Sequence, residues 1–240
     1  MRIIDDLLAT LNYKTPVRDI RQGPFQTAVW TRSCGLAATP HEPGPHHEET
    51  PVREAGSLLE KSAIELAQMA QSLSLHEAAI GMAAINSLIE IDEARCTELN
   101  AGDLLAEKGK GKKVALVGHF PFVAKLRETA GELWVIEKHP QPGDFAEDEA
   151  KGLLPQADVV GITGTAFTNH TIEPLLELCA AHAYVIILGA TTPLSPVLFN
   201  YGISALSGTQ VINPELVLRS ISQGATSKQM QGIRRLTMTR

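Results

Sequence analysis

Apolar residues recur along this chain with two different periods, and the change between them divides it. Ile3, Ile4, Leu7, Leu8 and Leu11 fall at helical spacing and predict a short amphipathic helix over residues 1–12. Two runs rich in strand-forming residues, 17–21 and 25–31, flank Gln22-Gly23-Pro24 and read as a hairpin. A third short run, 35–39, is stopped by Pro40. Residues 40–51 are dominated by His, Glu, Pro and Gly and read as loop. Helical periodicity resumes over residues 55–71. Ser74 and Glu77 then stand at the spacing of a capping box, opening a second helix over residues 75–91. That helix is apolar almost all round, so burial on most sides is expected, part of it against the second half of the chain.

From about residue 108 the pattern changes. Four continuous apolar runs, 113–117, 133–136, 159–162 and 184–188, each lead into a turn or a helical stretch. Continuous apolar strands alternating with helices predict a parallel sheet covered on both faces. Helix starts are visible at residues 169–174 and at Asn213-Pro214, and Gly224 is a stop signal. The expected fold is α/β: a Rossmann-like domain of about five strands over residues 107–240, preceded by a smaller α+β domain over 1–106. The Gly- and Lys-rich segment 107–113 is the expected junction.

Charge supports that division. Residues 1–100 carry 8 basic against 14 acidic side chains, whereas 101–240 carry 13 of each. An acidic chain whose basic excess is confined to Lys228, Arg234, Arg235 and Arg240 is a poor nucleic-acid binder, and that tail reads as a solvated surface end. No run of 18 apolar residues is present, so no membrane span is expected. Asp5 and Asp6 interrupt the first apolar stretch, unlike a signal peptide, which makes the cytoplasm the expected location. Cys34, Cys96 and Cys179 are too far apart for an all-cysteine zinc site and read as free thiols.

Ligands of open parallel sheets bind at the carboxyl ends of the strands. The first apolar run ends in Gly118-His119-Phe120-Pro121. Only the first glycine of a dinucleotide fingerprint is present, and bulky His119 and Phe120 occupy the close-approach positions, which argues against ordinary NAD binding. Glu137 ends the second run, about 20 positions after Gly118, where such folds place a ribose-binding carboxylate. It reads equally as a solvated strand-end acid. Gly164 and Thr165 follow the third run, and Thr191 and Thr192 the fourth. Small hydroxyl residues there can hold an anionic group, or simply serve as turn and cap residues. Asn169 can cap a helix and face the same cleft. Asn86, in the middle of the apolar helix, must be hydrogen-bonded, either to a neighbouring loop or within a cleft. His41, His46 and His47, interleaved with glutamates, offer imidazole and carboxylate ligands for a divalent transition metal, although an exposed polar loop has the same composition.

Several stretches resemble the heavy-metal chelation family: Gly35-Leu36-Ala37-Ala38-Thr39, residues 79–86, Val117-Gly118-His119-Phe120-Pro121, residues 162–165 and residues 192–199. The resemblance covers roughly residues 17–220. It implies an enolase-N-terminal-like first domain, a Rossmann-like second domain partly similar to that of methyltransferases, and an active site in the cleft between them. It also implies a role in metal chelation, or in condensation or hydrolysis of pterin-, flavin- or siderophore-like molecules.

Three readings follow. In the first, a small heteroaromatic or metallophore-like ligand binds in the interdomain cleft, with or without catalysis. His119 is then the acid/base group, and Thr39, Asn86, Gly118, Phe120, Glu137, Gly164, Thr165, Asn169, Thr191 and Thr192 position the ligand. In the second, the protein binds a metal directly through His41, His46 and His47, without catalysis. In the third, it uses a nucleotide cofactor of the S-adenosylmethionine type. The partners expected are a small molecule and a second copy of the chain, with neither nucleic acid nor membrane.

Overall fold

The structure, a computed structural model, describes residues 2–40 and 50–240. Helix α1 (Arg2–Ala9) buries Ile3, Ile4 and Leu7 on one face. Strands β1 (Asp19–Gln22), β2 (Gln26–Trp30) and β3 (Cys34–Ala38) form an antiparallel sheet in that order, with Asp19 opposite Trp30 and Gln26 opposite Ala38. This is the hairpin and third run that the sequence predicts. Burial of β2 and β3 on both faces follows from their neighbours: helix α3 (Leu75–Leu88), which follows α2 (Ala63–Gln68), packs on one face, while Val217, Leu218 and Ile221 from the second half of the chain cluster with Ala28, Cys34 and Leu36.

Every residue of α3 from Glu77 to Ile85 is buried, in line with its lack of a polar face. Two glycines allow the close seating. A Cβ on Gly35 would lie 2.2 Å from the carbonyl oxygen of Ala83, and one on Gly81 would lie 1.9 Å from the amide nitrogen of Ala70. The capping box at the start of α3 is only half formed. Ser74 Oγ accepts from the Glu77 N–H at 3.4 Å, but the Glu77 carboxylate turns to Arg53 and Ser72 instead of the cap backbone. A carboxylate that is 3 % exposed is better satisfied by a guanidinium than by one amide. These bonds, those from Arg53 foremost, hold the Glu77 carboxyl down at about 2. The predicted helix over 55–71 is also shorter. A single 3-10 turn at Leu58–Glu60 stops before Ser62, whose side chain and Glu65 form a full capping box that restarts the chain as α2.

Among the described residues, the second sheet has eight strands. They are β4 (Cys96–Thr97), β5 (Lys113–Val117), β6 (Glu132–Glu137), β7 (Phe145–Ala146), β8 (Val159–Thr163), β9 (Tyr184–Leu188), β10 (Ala205–Val211) and β11 (Ile233–Thr239). Their order is β4-β11-β10-β9-β8-β5-β6-β7. From β10 to β7 all pairings are parallel, while β11 runs antiparallel to both β10 and β4. The intervening helices are α4 (Ala101–Lys108), α5 (Val123–Thr129), α6 (Ala150–Leu153), α7 (Thr165–Thr168), α8 (Ile172–Leu178) and α9 (Pro214–Ser222). This is the expected α/β, Rossmann-like sheet, and the four apolar runs are β5, β6, β8 and β9.

The basic tail is not a solvated end. Residues 233–239 form β11, in which Leu236, Thr237 and Met238 are buried, while Arg234 pairs with Glu93 and Glu98. Strand pairing on both sides supplies the burial that its two arginines disguise in the sequence. Among the described residues, no helix is long and apolar enough to cross a membrane.

The two sheets meet along a polar seam. Asn86 Nδ2 donates to the carbonyls of Leu36 (2.8 Å) and Thr191 (3.1 Å), and the Ala38 N–H donates to Thr191 Oγ1 at 2.9 Å. Farther along the seam, His170, at φ +61°, donates from Nε2 to the Ala70 carbonyl at 2.9 Å.

Candidate functional site

The chain leaves β5 towards β6 on one side and returns to place β8 on the other. Connections therefore diverge at the carboxyl ends of β5 and β8, the point at which open parallel sheets leave a crevice. Gly118, at φ +105°, turns the chain out of β5, and a Cβ there would lie 3.1 Å from both Phe120 and Thr163. Gly164 turns it out of β8 so closely against the next loop that a Cβ would lie 2.8 Å from the amide nitrogen of Thr192.

The crevice has two compartments that share Phe120, Thr163 and Thr165. The larger, about 650 Å³, lies between the sheets. Gln26, Leu36 and Ala38 line it from the first sheet, and Gly164, Thr191 and residues of β10 and β11 from the second. The rings of Phe120 and Phe122 stack in its wall, with centroids 5.2 Å apart and planes 15° apart. Lys228 and Arg235 also line it, and neither makes an ion pair or side-chain hydrogen bond with a described residue. Gln26 is 8 % exposed, and its Oε1 is buried without a hydrogen-bond partner among the described residues.

The smaller compartment, about 200 Å³, is lined by Gly118, His119, Glu137 and Asn169, with Lys138, Glu147 and Thr171. The Glu137 carboxylate is engaged with backbone: Oε1 accepts from the His119 N–H at 2.6 Å and Oε2 from the Lys138 N–H at 3.1 Å. His119 Nδ1 lies 3.0 Å from Asp144 Oδ2. The Asp144 side chain is only 1 % exposed, accepts also from the Gln141 N–H, and has Arg127 at 3.6 Å from its other oxygen. Asn169 Oδ1 accepts from both the N–H and the hydroxyl of Thr171. Its Nδ2 is thereby left as a donor.

Thr39, Asn86 and Thr192 line neither compartment. Thr39 Oγ1 bonds to Thr27 Oγ1 at 2.9 Å beneath the first sheet, Asn86 forms the seam, and Thr192 is buried with its hydroxyl unpartnered among the described residues. His41, His46 and His47 lie outside the described residues. Among the described residues, no group of three or more His, Cys, Asp or Glu side chains gathers closely enough to hold a metal ion. The thiols are poor nucleophiles: burial pushes Cys34 up to about 12 and Cys179 to about 11.

The sequence gives no sign of Asp144, Gln26, Phe122, Lys228 or Arg235 as site residues. Asp144 follows Pro142-Gly143 in a turn, and its distance from His119 along the chain matches no motif. Arg235 reaches the cleft because β11 returns into the sheet, and Lys228 reaches it from the turn that precedes that strand.

A family model described as "Putative heavy-metal chelation" matches residues 100–240, and a second model with the same description matches residues 4–89. The chain belongs to this heavy-metal chelation family. An uncharacterized protein of Methanocaldococcus jannaschii is 27% identical over 181 residues, which span 72% of this chain and 70% of that one. A DUF364-family protein of Desulfitobacterium hafniense DCB-2, whose crystal structure is described as of unknown function, superimposes with a TM-score of 0.84. It is 26% identical, covering 100% of this chain and 97% of that one. A second DUF364-family crystal structure, from Pyrococcus horikoshii, gives 0.85 at 22% identity, covering 100% and 98%, and supports the shared fold. Both solved structures thus share this chain's fold over its whole length.

Proposed function

We propose that this family member binds a planar, anionic aromatic small molecule of the pterin, flavin or catecholate-siderophore kind in the larger compartment. His119 then acts as acid and base from the smaller one. The observation that carries this reading is the pairing of a stacked Phe120–Phe122 wall with two cations, Lys228 and Arg235, that have no ionic partner among the described residues. Stacked rings favour a flat aromatic body, and guanidinium and ammonium groups favour an acidic one. The Gln26 Oε1, buried without a partner among the described residues, supplies an acceptor for a donor on the ring edge. Oxygen- and nitrogen-rich aromatic acids are themselves metal chelators, which connects this ligand class with the family's description. The first sheet, through Gln26, Leu36 and Ala38, and the second, through Gly164 and Thr191, line this compartment together, so the site needs both. Three free thiols suit a reducing, cytoplasmic setting.

The direct experiment is to denature purified protein and examine what is released. The expected product is an acidic aromatic molecule, detected by ultraviolet absorbance and mass, and absent from protein carrying Lys228→Ala and Arg235→Ala together. Release of the same molecule in equal amount from that double variant would count against this placement of the ligand.

A further inference from the structure

We infer that Asp144 is a positioning residue that fixes His119 in the tautomer protonated at Nδ1, making Nε2 the proton acceptor of the smaller compartment. The inference deepens the acid–base reading of His119 and rests on it for the identity of the proton donor. An ionised carboxylate has no proton to give, so at 3.0 Å the shared proton belongs to Nδ1. The carboxylate is itself held. Its side chain is 1 % exposed, Oδ2 accepts from the Gln141 N–H at 3.2 Å, and Arg127 stands 3.6 Å from Oδ1 as counter-charge. The other end of the residue is fixed by the 2.6 Å bond from the His119 N–H to Glu137. Backbone and ring are therefore anchored by two different carboxylates, one from the end of β6 and one from the turn that follows it.

With Nδ1 occupied, Nε2 carries the lone pair and makes no hydrogen bond with a described residue, while the ring is 33 % exposed and lines the cavity. The proton transferred leaves an O–H or N–H of the ligand and forms the second N–H bond of the imidazole, and its electron pair stays on the ligand atom. Imidazolium formed in this way is stabilised by Asp144, as in other histidine–carboxylate pairs. Asn169 Nδ2, left free because Thr171 occupies Oδ1, is the donor that the same cavity offers to the developing negative charge.

The test is nitrogen-15 spectroscopy of the imidazole rings at a pH where His119 is neutral, using the ligand-free protein. A histidine free in water favours the tautomer protonated at Nε2. The expected wild-type spectrum shows His119 predominantly protonated at Nδ1. Asp144→Asn should shift it to predominantly Nε2-protonated, and Asp144→Glu should restore the wild-type pattern at least in part. A wild-type His119 protonated mainly at Nε2 would overturn the inference, as would an unchanged tautomer in a folded Asp144→Asn variant. If Asp144→Asn fails to fold, the wild-type spectrum alone decides. None of these outcomes depends on the larger compartment holding an aromatic acid, so failure of the ligand reading remains distinguishable.

Discussion

The backbone N–H of His119 donates to Glu137 Oε1 at 2.6 Å, so the residue that ends β6 holds the turn that ends β5. The Glu137 side chain thus works on the backbone that presents His119. Glu137→Ala is expected to cost about 1.5 kcal/mol of stability, the scale of a hydrogen bond to a charged group. Urea unfolding of the two proteins measures the difference. Equal unfolding midpoints would show that the turn holds itself without Glu137.

Glu77 links the segment at Arg53 to α3, and its carboxyl is lowered from 4.5 to about 2, chiefly by its bonds from Arg53. A carboxyl depressed in the folded state contributes stability that is complete above its unfolded value and is lost as pH falls towards the folded one. The stability advantage of wild type over Glu77→Gln should therefore be full above about pH 5 and shrink between about pH 4.5 and 2. Thermal melts of both proteins across that range measure it. A constant difference at all pH values would mean that the ion pair adds nothing.

Burial raises the thiols of Cys34 and Cys179, to about 12 and about 11, and raises that of Cys96 as well. Alkylation needs the thiolate. The folded protein is expected to resist iodoacetamide at pH 8, and the denatured protein to take three labels, counted by mass spectrometry. Rapid labelling of Cys34 in the folded state would show that β3 opens readily.

The seat of α3 gives a steric prediction. A Cβ at position 81 would lie 1.9 Å from the amide nitrogen and 2.5 Å from the Cα of Ala70, which are backbone atoms that cannot swing aside. Gly81→Ala should therefore destabilise the protein despite its better helix propensity, by about 2 kcal/mol or more, the scale of overpacking. Its melting temperature is the readout. A stabilised variant would mean that the two backbones separate at no cost.

Much of this architecture was legible because it is written in local pattern. The runs at 113–117 and 184–188 are strands at those same bounds, since a strand buried on both faces needs continuous apolar residues. The helix from Leu75 was legible for the same reason. What stayed hidden depends on partners distant in sequence. Residues 233–239 look like a charged tail until β4 and β10 pair with them on either side. Glu77 looks like half of a capping box until Arg53 arrives from another segment. In the site, strand-end position pointed to Gly118, His119 and Glu137, whereas Asp144, Lys228 and Arg235 reach it through turns and a returning strand that no short spacing encodes.

The central claim, that an aromatic acid occupies the larger compartment, is tested most directly by equilibrium titration. Wild type and the Lys228→Ala, Arg235→Ala double variant would be titrated with pterin-6-carboxylate, riboflavin phosphate and 2,3-dihydroxybenzoate and followed by fluorescence. The account predicts saturable binding of at least one of them, weakened at least about tenfold in the double variant, which is about 1.4 kcal/mol, and weakened by added salt in wild type. Binding of none of the three, or equal affinity in both proteins, would contradict it.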